Sequence, residues 1–194
     1  MNALIYLIHA FASLYFFFVL ARFMLQSARA DFYNPFSQAA VKITNPLLKP
    51  LRMVIPGVWG IDLASLVLLM IVQVVHAEVL ALLATKSIIN IAAVLVFGIL
   101  GTLMFITWVI WISAIIMIIA SFVAPYSSHP ILMLIRQILQ PILNPFQKIL
   151  PPMGGLDFSV MLLLIFNSAL QILINEIVFS YDPGGAIRQF IIGL

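Results

Sequence analysis

Asn45-Pro46-Leu47-Leu48-Lys49-Pro50-Leu51-Arg52 and, 95 positions on, Gln140-Pro141-Ile142-Leu143-Asn144-Pro145-Phe146-Gln147 carry one pattern twice. The match extends in both directions at the same rigid spacing. Pro35 falls on Pro130, Pro46 on Pro141, Pro50 on Pro145 and Pro56 on Pro151, and beyond them Gly60 falls on Gly155 and Asp62 on Asp157. Chance rarely aligns four prolines without a gap. The chain therefore reads as a tandem duplication, with units at 1–95 and 96–194, and internal repeats govern the whole fold.

Around these copies the chain is almost uniformly apolar. It is 64% hydrophobic and 8% charged, against about 25% charged in an ordinary soluble domain. That composition describes a membrane protein. With no cysteine, disulfides, zinc–thiolate sites and catalytic thiols are excluded. The N-terminus lacks the positive region of a cleaved signal peptide and reads as the start of a retained span.

Crossing a bilayer takes about 20 apolar residues. The sequence offers four such stretches: about Leu4–Gln26, Leu63–Thr85, Ile99–Phe122 and Phe158–Phe179. The third lies in a run of 49 residues, between Lys86 and Arg136, with no Asp, Glu, Lys or Arg. As one helix that run would measure about 74 Å, so it must break, and Pro125 to Pro130 marks a break. Ile88 to Phe97 is left over, either as an extension of the third span or as an interfacial helix.

Between the spans of each unit lies an amphipathic segment, 35–55 and 130–150. In the first, Gln38, Lys42, Asn45, Lys49 and Arg52 recur in steps of three and four, which is one stripe on a helix. Such a segment lies in the membrane interface with its apolar side down. Pro46 and Pro50 predict two short helices with a kink; a re-entrant hairpin shielded by protein is the alternative. In the second copy Gln137, Gln140, Asn144 and Gln147 replace Lys42, Asn45, Lys49 and Arg52, so polarity is kept and charge is lost. Trp59, in the turn after the first segment, suits the headgroup level.

Seven of the nine Lys and Arg residues flank or lie in the amphipathic segments; only Lys86 and Arg188 fall on the other side. Short cytoplasmic loops carry such an excess. Both segments are therefore predicted to face the cytoplasm and both termini to face outward, and two spans per unit make the units parallel.

No motif for catalysis stands out: no phosphate-binding glycine loop, HExxH or Gly-x-Ser-x-Gly. His9, His76 and His129 are scattered. A haem between spans would need axial ligands of that kind, but ordinary bonding between helices is the plainer role for His9 and His76. No cofactor or metal is expected. The basic stripe Lys42, Asn45, Lys49 and Arg52 is the candidate contact for lipid or a partner. Asp62 and Asp157, at equivalent places, read as helix caps or as ion contacts. Asn167, Gln171 and Asn175 share one face of the fourth span. A polar face at that depth turns inward, as glue between helices or as a wet path for ions.

Asp31-Phe32-Tyr33-Asn34-Pro35-Phe36-Ser37-Gln38, the Lys42 to Arg52 segment, Pro56 and Gly60-Ile61-Asp62 resemble the YggT (YlmG) family, with two copies of the family unit covering essentially the whole chain. The second copy keeps Pro130, Pro141, Pro145, Pro151 and Gly154-Gly155-Leu156-Asp157. The resemblance implies an integral protein of the bacterial inner membrane. Bacterial members are associated with tolerance of osmotic shock, and photosynthetic relatives with cytochrome assembly, nucleoid distribution and division. It supplies no catalytic residues. The expectation is an all-α membrane protein of four transmembrane helices in two tandem parallel repeats, non-enzymatic, acting through membrane lipids or an unknown membrane protein partner, with no direct contact to nucleic acid. A small ion transporter or channel component using the polar stripe is the rival expectation.

Overall fold

The computed structural model describes residues 3–58, 60–124, 127–150 and 157–194. Trp59, Pro125, Pro151 and the Gly154-Gly155-Leu156 element lie outside them. The described chain is all helical: α1 (Ala3–Ser27), α2 (Pro35–Val54), α3 (Leu63–Thr85), α4 (Ile91–Val123), α5 (Pro130–Ile149) and α6 (Ser159–Tyr181), followed by a short 3-10 turn, Arg188–Phe190. Helices α1, α3, α4 and α6 are long and apolar enough to cross a membrane, and the chain is a multi-pass membrane protein. α5 begins and ends 95 positions after α2, and α6 trails α3 by 96.

The helix starts follow from capping chemistry. Pro35 and Pro130 open α2 and α5 where a missing N–H leaves nothing unpaired. Asn34 and His129 precede them and accept the N–H of Phe36 and Ile131. Asn90 does the same for Ala92 at the start of α4. Gly60 takes a left-handed conformation, φ 84°, in the tight turn that pairs Val58 with Ile61 ahead of α3.

One expectation changes and one open alternative closes. α2 and α5 run unbroken through Pro46, Pro50, Pro141 and Pro145, so neither is a pair of short helices nor a hairpin. A proline frees the carbonyl four residues back. Pro46 and Pro50 are both exposed, so the carbonyls they free, on Lys42 and Pro46, share the outer side, where headgroups or water can bond them. The leftover stretch before the third span is resolved as well. α4 is continuous over 33 residues, about 50 Å, so Ile91 to Phe97 extends the span beyond the hydrocarbon core rather than forming a separate helix.

α1 and α3 pack antiparallel, as do α4 and α6, and α3 joins the halves by packing on α4. Phe16, Leu20, Leu68 and Leu69 fill the core of the first pair. Ala114 and Leu163 of the second pair share a core with Leu139 and Leu143 of α5. α2 and α5 touch each other across the halves, where Asn34 Nδ2 donates to the Pro130 carbonyl at 2.8 Å and the Gln137 side chain accepts the Asp31 N–H at 2.9 Å.

The end of the chain returns into the bundle. Asp182 accepts the N–H groups of Ala186, Ile187 and Arg188 and turns the chain back. The Arg188 guanidinium sits over the Phe179 ring, 3.8 Å from its centroid. Ile191 and Ile192 are buried against α3 and α4. There the fully buried Gln73, near the middle of α3, donates to the Ile192 carbonyl and accepts the Ile192 N–H, both at 3.0 Å. Irregular backbone at membrane depth survives only when protein satisfies it in this way.

Candidate functional site

α2 packs on α1 and α3 through a narrow face: Ser37, Ala40, Thr44 and Leu48 are buried. Three of these are small, so the helix approaches closely and leaves its large apolar residues outside. Phe36, Ile43, Leu47, Met53 and Val54 are exposed. The helix therefore presents both apolar bulk and the basic stripe to its surroundings.

The four residues of that stripe part company. Asn45 turns inward: its Oδ1 accepts Arg22 Nη1 at 2.8 Å, and the same nitrogen donates to Thr44 Oγ1 at 2.6 Å. Arg52 is an ion-pair residue. It bonds the Asp62 carboxylate and the Gln26 side chain, the latter at 2.9 Å. It thereby ties the end of α1 to the start of α3. Lys42 and Lys49 are exposed, and among the described residues neither has a hydrogen bond or ion pair.

Arg22 looks, in sequence, like the charge that closes a span. It is instead buried inside α1 and aimed at α2. Its one signal in the sequence is its place short of the end of the apolar run, about one and a half turns before the end of α1.

α5 repeats the layout with amides. Gln140 donates to Asn144 at 2.9 Å and to Gln147 at 3.1 Å, and Gln147 donates to Asp157 at 2.9 Å. Members of the row bond one another, as uncharged amides can and lysines cannot.

Asp62 caps α3: Ser65 Oγ donates to it at 2.5 Å and the Ser65 N–H at 3.4 Å. Burial pushes its carboxyl up, but the hydrogen bonds from Arg52 and Ser65 outweigh that and hold it below the ordinary carboxylate value. Asp157 stands one residue before the cap position of α6 and accepts the Ser159 N–H at 3.0 Å together with the Ser159 hydroxyl. Burial is again outweighed, here by Ser159 and Gln147, and its carboxyl also lies low.

The α6 face is divided. Asn167 is buried and donates to the Thr107 carbonyl of α4 at 3.1 Å. Gln171 is half-buried, and among the described residues its Nε2 has no partner. Asn175 is exposed on the outer surface, so the three do not all meet other helices. An amide at a helix edge can reach toward the headgroup level, and Asn175 lies near the end of its span. His9 and His76 do meet, Nδ1 to Nε2 at 3.1 Å, across α1 and α3. Gln73 is visible in the sequence as a polar residue inside the second span, but its partner is not, because it lies 119 positions away. Among the described residues no group of three or more His, Asp or Glu could hold a metal ion.

A sequence profile described as CCB3/YggT matches residues 1–83 and 92–178. The chain is 42% identical to uncharacterized protein PA0392 of Pseudomonas aeruginosa, with 81% of each chain covered. It is 39% identical to an uncharacterized protein encoded in the proC 3'region of Vibrio alginolyticus, over 92% of this chain and 96% of that one. It is likewise 39% identical to uncharacterized protein YggT of Escherichia coli K12, over 91% and 92%. No solved structure matches.

Proposed function

The chain belongs to the CCB3/YggT family, and from that premise we propose a non-enzymatic, multi-pass protein of the bacterial inner membrane that holds lipid or a membrane protein partner through α2 and α5 and so supports tolerance of osmotic or envelope stress. In this reading the two units are tandem, parallel copies. Both amphipathic helices lie at the cytoplasmic face and both termini face outward.

One observation carries the reading. Lys42 and Lys49 stand unpaired beside exposed Ile43 and Leu47 on a helix whose packed face is already complete. A cation row next to apolar bulk suits the boundary between headgroups and acyl chains. The bacterial origin of the relatives supports the plasma membrane as the site. The transport reading has less behind it, because Asn167 is spent on Thr107 and Asn175 faces outward.

A photoreactive side chain at Lys49 in native membranes tests the proposal. Crosslinks to anionic lipid or to one recurrent protein are expected. Purified protein in liposomes should pass no ions above empty vesicles. Ion flux together with an absence of crosslinks would replace this reading with the transporter.

A further inference from the structure

Where α4 ends and α6 begins, a cavity of about 460 Å³ opens between α4, α5 and α6. Met117, Ile118, Phe122 and Met161 give it apolar walls, and Arg136 and Asp157 give it one cation and one anion. At the equivalent corner of the first half a buried charge takes that place. The residue 95 positions before Met117 is Arg22, buried and bonded to Thr44 and Asn45. The residue 95 positions before Asp157 is Asp62, neutralised by Arg52. The second half thus exchanges a polar plug for a flexible thioether and open volume, and its cation sits at Arg136 instead.

Both charges are available to a ligand. Arg136 is exposed and, among the described residues, has no hydrogen bond or ion pair. Asp157 is held ionised by Ser159 and Gln147, and a carboxylate has about four acceptor sites, so it can take a further donor. Arginine is suited to phosphate oxygens. A carboxylate beside it repels a purely anionic head group and accepts from an ammonium that has N–H bonds to give.

We propose that this cavity seats one phospholipid with a phosphoethanolamine head group, its phosphate on Arg136, its primary ammonium on Asp157, and the upper part of an acyl chain against Met117, Ile118, Phe122 and Met161. The leaflet rests on the orientation proposed above; the head-group chemistry does not. Methionine walls adapt to a chain that has no fixed shape. A quaternary ammonium lacks the N–H donors, and a glycerol head group lacks the cation.

The test uses the full chain, purified in detergent, stripped of lipid and offered equal amounts of phosphatidylethanolamine, phosphatidylglycerol and phosphatidylcholine, with bound lipid read by native mass spectrometry. One phosphatidylethanolamine is expected to be retained in preference. Arg136→Gln should lower its retention about fivefold, the worth of one basic residue at a membrane surface. Asp157→Asn, which keeps a capping acceptor, should erase the preference over phosphatidylglycerol. Ser121→Trp, from the exposed wall of the cavity, should displace the lipid with both charges intact. Equal retention of all three lipids, or undiminished retention of phosphatidylethanolamine in Arg136→Gln, overturns the proposal. Arg136 lies on the surface, so that variant remains decisive if Asp157→Asn folds poorly. Failure here leaves the Lys42 and Lys49 reading standing, since that reading is tested on another helix.

Discussion

Arg52 donates to the carboxylate of Asp62, ten residues ahead of it, and Gln147 makes the same link to Asp157. One geometry is thus served by a charged donor in one half and a neutral donor in the other. Arg52 is more exposed than Asp62, so the charge adds little beyond the hydrogen bond. Arg52→Gln should cost under about 1 kcal/mol. Asp62→Ala, which strips the cap from α3, should cost about 1–2 kcal/mol. Thermal unfolding of the two variants in detergent measures the difference; equal losses would mean that the ion pair, not the cap, matters.

The same carboxylates set an acid limit. Asp62, Asp157 and Asp182 all lie below the ordinary carboxylate value: in each, burial pushes upward but is outweighed by hydrogen bonds. A group whose folded pKa is depressed contributes stability above its unfolded value, about 3.9, and loses it as pH falls through the folded value. Unfolding temperature should therefore hold from neutral pH to about 5 and drop below about 4. Asp62→Asn should flatten that drop without abolishing it, because Asp157 and Asp182 remain. A drop of unchanged depth would remove Asp62 from this account.

Gln73 and the returning tail form a second testable unit. Gln73→Leu leaves the buried Ile192 N–H and carbonyl unpaired and should cost about 2–3 kcal/mol. A Cβ at Gly101 would stand 2.6 Å from both Ile191 Cγ2 and the Ile192 carbonyl oxygen, so Gly101→Ala should also expel the tail. Hydrogen exchange over residues 186–194 should accelerate in both variants while α1 stays protected. An unchanged rate in both would mean that the tail is held by other contacts.

Much of this architecture is legible before any coordinates. The proline register and the caps beside it place α2 and α5 to within a residue, because Pro35 and Pro130 act through local geometry. α3 likewise follows from Asp62 and the apolar run behind it. What is not legible is which face of a helix meets which neighbour. Arg22 reads as the end of a span because arginine usually is, and only the packing of α2 on α1 turns it toward Thr44. Gln73 has a partner at Ile192, and the histidines at 9 and 76 have each other, through contacts that no local period announces. Pro46 and Pro50 mislead for a related reason: a broken hydrogen bond ends a helix only when nothing else stabilises the helix, and here the face of Ala40, Thr44 and Leu48 packs across both prolines.

Along α6 the three amides should differ. Asn167→Leu removes a bond to Thr107 and should cost about 0.6–1.7 kcal/mol, the range for polar contacts between membrane helices. Asn175→Leu, on the exposed surface, should be neutral or stabilising. Unfolding of each variant in detergent gives the ranking, and a larger loss at Asn175 would place it against a partner in the membrane.

The last prediction concerns Lys42 and Lys49. Near an anionic leaflet each basic residue contributes about 1 kcal/mol, so the pair contributes about 2 kcal/mol, and salt weakens this within a Debye length of about 10 Å at 0.1 M. Arg52 is excluded from the sum because Asp62 neutralises it. The chain has no cysteine, so Gln38→Cys reports orientation without background: it should label only after the inner membrane is breached. With orientation fixed in this way, reconstituted full chain should crosslink to a photoreactive anionic phospholipid. The double variant Lys42→Gln/Lys49→Gln should crosslink several-fold less, and 1 M salt should bring the unmodified chain down to the level of the variant. Crosslinking that ignores both the variant and the salt would reduce the two lysines to a solvated face and a topology signal, and the apolar row of Phe36, Ile43 and Leu47 would then hold α2 in the interface alone.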